Sequence, residues 1–194
     1  ISNDDRAAAT ATNSTISGNR TVFGGPTFQN SGAGFYNINA TATFTDCTVT
    51  DNVAYHKAGG IWNRSNNNSQ PAVMTLTNTT ISGNRSEEDG PAAFLNDSST
   101  TASTGATATL TNCTISGNQA ADISGGIYTL GGKTDIRSTT ITANRLLVTP
   151  HGAGGIWVAG PTVLRNTIIA GNFDETSQTP AASDCFSGYV ASPV

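Results

Sequence analysis

Two histidines, three cysteines, thirteen carboxylates and a large population of threonine and serine hydroxyls are what this 194-residue sequence has to do chemistry with. His56 and His151 each precede a tryptophan by six residues, Trp62 and Trp157, and so hold equivalent places in whatever repeat contains them. A stack of strands would keep them three layers apart, roughly 14 Å at the ~4.8 Å strand spacing. A zinc ion with ligand bonds of about 2 Å cannot span that gap. Both therefore read as loop histidines, and no metal is expected. Cys47, Cys113 and Cys185 show no C-x-x-C spacing and cannot pair off completely. Glycoside hydrolysis needs two carboxyl groups facing one bond, roughly 5–10 Å apart. Asp46, Asp51, Asp122 and Asp135 lie near strand-like runs, but no two share a repeat position in successive copies. The run Glu87-Glu88-Asp89 reads as a solvated loop tip. The expectation is a protein with no catalytic residue and no cofactor.

The elements that position these groups are visible as an internal repeat, the first feature to seek in such a chain. A nine-residue motif, at its fullest L-T-N-x-T-I-S-G-N, occurs six times, at 11–19, 44–52, 76–84, 110–118, 136–144 and 164–172. Position six is always β-branched (Ile16, Val49, Ile81, Ile115, Ile141, Ile169) and position nine is always Asn (Asn19, Asn52, Asn84, Asn118, Asn144, Asn172). Successive Asn residues are 33, 32, 34, 26 and 28 residues apart, so the motif keeps its length while the inserts vary. A second pattern alternates with it: Gly34-Phe35-Tyr36-Asn37, Gly60-Ile61-Trp62-Asn63, Ala93-Phe94-Leu95-Asn96, Gly126-Ile127-Tyr128 and Gly155-Ile156-Trp157. Side chains alternate faces along a strand. Asn at position three suits a left-handed bend. The fold expected is all-β: one right-handed parallel β-helix (β-solenoid) of about six rungs spanning 1–194, with variable loops and a tail at 173–194. Each rung should carry three short strands, and like residues should stack into an aliphatic ladder inside and an Asn ladder at the turn.

Stacking turns outward residues into columns as well. Thr10 and Thr12, Thr43 and Thr45, Thr75 and Thr77, and Thr109 and Thr111 flank position one, a T-x-T ladder that ends at Asp135 and Arg137. Flat T-x-T arrays on β-solenoids bind ice in several families, while Thr is also simply a good outward strand residue. Tyr36, Trp62, Tyr128 and Trp157 form a second column, readable as exposed aromatics for glycan binding or as residues packed under loops. Only 11% of residues are charged, with net charge −4 and no basic run, which argues against nucleic acid as a partner. No apolar stretch approaches the roughly 18 residues of a membrane span. Nine N-x-S/T sequons, Asn13, Asn39, Asn78 and Asn112 among them, follow from a composition rich in Asn and Thr.

The motifs T-L-T-N-x-T-I-S-G-N and G-G-I-W-N, with the closing segment Leu164 to Asn172 and then Asp184-Cys185-Phe186-Ser187-Gly188-Tyr189, resemble bacterial extracellular parallel β-helix repeat proteins that carry surface anchors. They resemble more loosely the repeats of chlamydial polymorphic outer-membrane proteins. That resemblance implies an extracellular or cell-surface setting and a structural or adhesive role. Bare end rungs, with unpaired backbone groups, lead to an expectation of end-to-end self-association into filaments. A polysaccharide-binding or polysaccharide-degrading β-helix is the rival expectation, with surface glycans as partners.

Overall fold

Each copy of the motif bends twice, and backbone dihedrals mark both places. Position three (Asn13, Asp46, Asn78, Asn112, Ser138, Asn166) has φ between 48° and 54°. Position eight (Gly18, Asp51, Gly83, Gly117, Ala143, Gly171) has φ between 56° and 69°. Left-handed backbone is open to Gly and tolerated by Asn and Asp, and a Cβ there costs about 1–2 kcal/mol. Ala143 is the one aliphatic side chain at these twelve bends. Ala143→Gly is accordingly expected to stabilise the protein by about 0.5–1 kcal/mol, after the greater freedom of Gly in the unfolded chain is discounted. Urea denaturation measures this directly, and an unchanged or lower midpoint would contradict it.

The computed structural model describes residues 1–22, 32–66, 70–98, 105–148, 152–176 and 181–187. The two bends flank one short strand of each rung, the one around position six, and corresponding strands pair in parallel from rung to rung. Sheet A runs through Ser2–Asp4, Phe35–Ile38, Ile61–Ser65, Phe94–Ser98, Ile127–Leu130, Ile156–Ala159 and Cys185–Ser187. Sheet B holds the strands around position one: Ala8–Thr12, Thr41–Thr45, Val73–Thr77, Thr107–Thr111, Lys133–Arg137 and Thr162–Arg165. Sheet C holds those around position six: Thr15–Ser17, Thr48–Thr50, Thr80–Ser82, Thr114–Ser116, Thr140–Thr142 and Ile168–Ala170. The result is an all-β parallel β-helix, a β-solenoid of about five turns.

The expectation of three strands per rung is corrected to four. Sheet D follows the position-nine Asn with two-residue strands: Val53–Ala54, Arg85–Ser86, Gln119–Ala120, Arg145–Leu146 and Phe173–Asp174. Two residues are too few for a face alternation to be legible. The antiparallel strand Ala181–Ala182 closes this sheet at the C-terminal side. The tail at 173–194 therefore begins inside the solenoid, and residues 188–194 lie outside the described ones.

Inside, the position-six residues pair in register, Ile16↔Val49, Val49↔Ile81, Ile81↔Ile115, Ile115↔Ile141 and Ile141↔Ile169. All are buried except Ile169, which is half-buried at the last rung. Phe44, Leu76, Leu110 and Ile136 form the matching column of sheet B. Close stacking explains the Gly that opens the second pattern. A Cβ on Gly60 would lie 2.5 Å from the carbonyl oxygen of Ala93.

Position four explains two of the three cysteines. Ser14, Cys47, Thr79, Cys113, Thr139 and Thr167 each donate to the carbonyl two residues back, at 2.8, 3.2, 3.0, 3.4, 2.9 and 3.0 Å. This bond ties the position-three bend. A thiol serves where other rungs use a hydroxyl, and burial pushes the Cys113 thiol up, keeping it a protonated donor. Cys185 is exposed, and all three cysteines are free thiols.

Candidate functional site

Two asparagine columns hold the rungs in register. In the position-nine column each Asn donates from both its backbone N–H and its Nδ2 to the Oδ1 of the Asn in the following rung. For Asn52 onto Asn84 the distances are 3.1 and 3.0 Å, for Asn84 onto Asn118 they are 2.9 and 3.0 Å, and for Asn118 onto Asn144 they are 3.1 and 2.8 Å. The second Nδ2 proton goes back to the position-six carbonyl of the preceding rung, for example Asn118 to Ile81 at 3.0 Å. Each internal carboxamide is thus satisfied without water, as full burial demands. The chain of donors has one direction. It starts at Asn19 and ends where Asn172 donates to Asp184 Oδ1 at 2.9 Å from both nitrogens.

A second column lies on sheet A, where Asn3, Asn37, Asn63 and Asn96 are linked by Nδ2–Oδ1 bonds of 2.8 Å each. It ends on the Thr134 hydroxyl at 3.0 Å. The Asn in F-Y-N, I-W-N and F-L-N was the available signal for it.

The T-x-T ladder is in register on the outer face of sheet B. Thr10, Thr43, Thr75 and Thr109 pair in turn, as do Thr12, Thr45, Thr77 and Thr111. The columns then meet Asp135 and Arg137, joined by a 2.9 Å bond from Arg137 Nε to Asp135 Oδ1. That contact holds the Asp135 carboxyl below the usual carboxylate range. Sheet C carries a longer hydroxyl face that the sequence reading passed over. Thr15, Thr48, Thr80, Thr114 and Thr140 stack over five rungs, beside Ser17, Thr50, Ser82, Ser116 and Thr142. All eighteen positions of these columns are hydroxyls, without a charge among them.

The aromatic column exists in register on sheet A, Tyr36↔Trp62↔Leu95↔Tyr128↔Trp157↔Phe186, but not as an exposed face. Trp62 is 1% exposed and Tyr128 9%, packed with Ala58 and Leu95; Tyr36 and Trp157 are half-buried. Of the two readings open for these four, packing under loops is the one that holds for Trp62 and Tyr128, because segments joining sheet D to sheet A, Ala58 among them, cover the rings. Beside them, Asp97 and Arg64 pair across neighbouring strands, Arg64 Nε to Asp97 Oδ2 3.7 Å, with Arg64 5.0 Å over the Trp62 ring. Charges seldom mark a buried strand position, so neither residue stands out in the sequence.

Burial raises the Asp97 carboxyl above its ordinary value, and Arg64, Lys57 and the Trp62 indole pull it partly back. The indole N–H does not reach hydrogen-bond geometry on the carboxylate. A carboxyl whose pKa is raised on folding stabilises the folded state below the unfolded value, 3.8, and loses that contribution as pH rises through the folded value. Asp97→Asn should therefore gain stability relative to wild type on going from pH 3 to pH 7. Denaturant titrations at both pH values check this, and a pH-independent difference would refute it.

The acidic run is not a free tip. Glu87 takes two bonds from Arg20 at 2.9 and 3.0 Å, Glu88 meets His56 at 2.9 Å and the Tyr55 hydroxyl at 3.1 Å, and Asp89 lies 3.5 Å from Lys57. Three rungs are stitched on one side. His151 lies outside the described residues. Among the described residues no group of three or more metal-ligating side chains converges, and no helix is long and apolar enough to cross a membrane. No family model, curated protein or solved structure matches this chain.

Proposed function

We propose that this chain is a non-catalytic extracellular adhesive module that holds an extended, uncharged partner on the hydroxyl faces of sheets B and C. One observation carries the reading: of the twenty-two outward strand positions in register in these rungs, twenty are Thr or Ser, the other two are Ala8 and Val73, and none is charged. A merely solvated face is ordinarily mixed with Lys, Glu, Arg and Asp, which favour solubility and discourage edge pairing. Here the ion pairs of Arg20, Lys57 and Arg145 involve residues in or beside sheet D. The solenoid supplies rigidity, since the Asn columns and the left-handed bends fix each rung on the next.

The resemblance to bacterial surface β-helix repeats supports the cell-surface setting. End-to-end assembly would not continue the position-nine column, because at its end Asp184 only accepts, from Asn172.

The test is co-sedimentation with insoluble neutral surfaces, namely cellulose, chitin and ice. Wild-type protein should be retained on at least one of them. A Thr48→Lys, Thr75→Lys, Thr80→Lys variant with an unchanged melting curve should stay in the supernatant. Retention of neither protein, or of both equally, would overturn the reading.

A further inference from the structure

The hydroxyl face of sheet B is periodic in two directions. Along the solenoid axis it repeats with the strand spacing, about 4.8 Å, and along each strand with two residues, about 6.7 Å. Four rungs carry the two Thr columns without interruption, and a third outward column holds Thr41 and Thr107 with Ala8 and Val73 in the other two rungs. Among the described residues, no hydroxyl of the eight T-x-T threonines is engaged by another protein group. On sheet C, by contrast, Ser82 already donates to Thr50 at 3.2 Å. Each free Thr presents one methyl and one hydroxyl, and β-branching restricts how they turn.

We infer that the partner of sheet B is itself a two-dimensional lattice of hydrogen-bonding groups without charge, namely the surface of ice; this rests on the adhesive reading above. A single polymer chain needs only a row of sites, whereas here whole rows repeat at fixed spacing in register. A rigid lattice of donors and acceptors loses little conformational freedom on binding, which favours a match to another ordered lattice. The face ends where Lys133, Asp135 and Arg137 replace the three outward positions. Charged groups there would hold their own hydration shells, so the binding face is confined to the first four rungs.

The experiment measures thermal hysteresis and crystal shaping in a nanolitre osmometer, using wild type, Thr75→Lys on sheet B and, as a control away from both hydroxyl faces, Gln119→Lys at an exposed position of sheet D. Melting curves show that each variant is folded. Wild type and Gln119→Lys should shape ice and give a freezing gap above a serum-albumin control, and Thr75→Lys should fall to the control. Wild type indistinguishable from albumin overturns the inference, and so does loss of the gap in Gln119→Lys with Thr75→Lys unaffected. Retention on cellulose or chitin without any freezing gap also overturns it while leaving the adhesive reading in place.

Discussion

Asn118→Ala is expected to destabilise the protein by about 3–5 kcal/mol, because two buried donors of the rung before it lose their acceptor and each stranded group costs about 1–3 kcal/mol. Those donors are the backbone N–H of Asn84 at 2.9 Å and its Nδ2 at 3.0 Å, and the site is completely buried. The substitution also removes the Nδ2 bonds of Asn118 to Asn144 Oδ1, 2.8 Å, and to the Ile81 carbonyl, 3.0 Å. The direction of the column sharpens the expectation. Asn118→Asp keeps the acceptor but cannot donate onward, and buries a carboxylate, so it should be at least as damaging near neutral pH. Asp184→Asn, at the end of the same column, should change stability by less than about 1 kcal/mol, since Asp184 Oδ1 only accepts there. Urea midpoints of the three variants decide the matter. Similar losses for Asn118→Asp and Asp184→Asn would mean that the ladder has no direction.

Trp62→Ala should cost about 3–5 kcal/mol, the usual range for deleting a buried large aromatic. Trp62 is among the largest fully buried side chains, stacked on Tyr36 with ring centroids 4.7 Å apart and planes 19° apart. Arg64 lies over the Trp62 ring at 5.0 Å from its centroid, so the cavity would also loosen the Arg64–Asp97 pair. Trp157→Ala, at a half-buried position of the same column, should cost less, about 1–2 kcal/mol. Should Trp62→Ala melt like wild type, the ring cannot be the packed residue described here, and an exposed aromatic surface would again be the better account.

The sequence by itself determined the repeat and everything the repeat dictates locally. Ile81 must point inward with Ile115 because both sit between outward Thr and Ser in a strand of period two. Asn78 and Asn112 must bend the chain because an amide side chain tolerates left-handed backbone where a β-branched one does not. Stacking of equals on equals then follows without further information, and so do the position-nine column and the T-x-T rows. Only the tertiary structure decided what lies across a junction between elements. Sheet D is too short to show a pattern. The covering of Trp62 depends on where an insert of variable length returns, which no local rule fixes. Asp97 and Arg64 sit in strands because the rungs put them side by side, each making the other's burial tolerable. The cysteines at position four are explained by a carbonyl two residues back, and that contact exists only once the bend is formed. Local geometry repeats and can be read from a line of letters; the partner across a loop is chosen by packing in three dimensions.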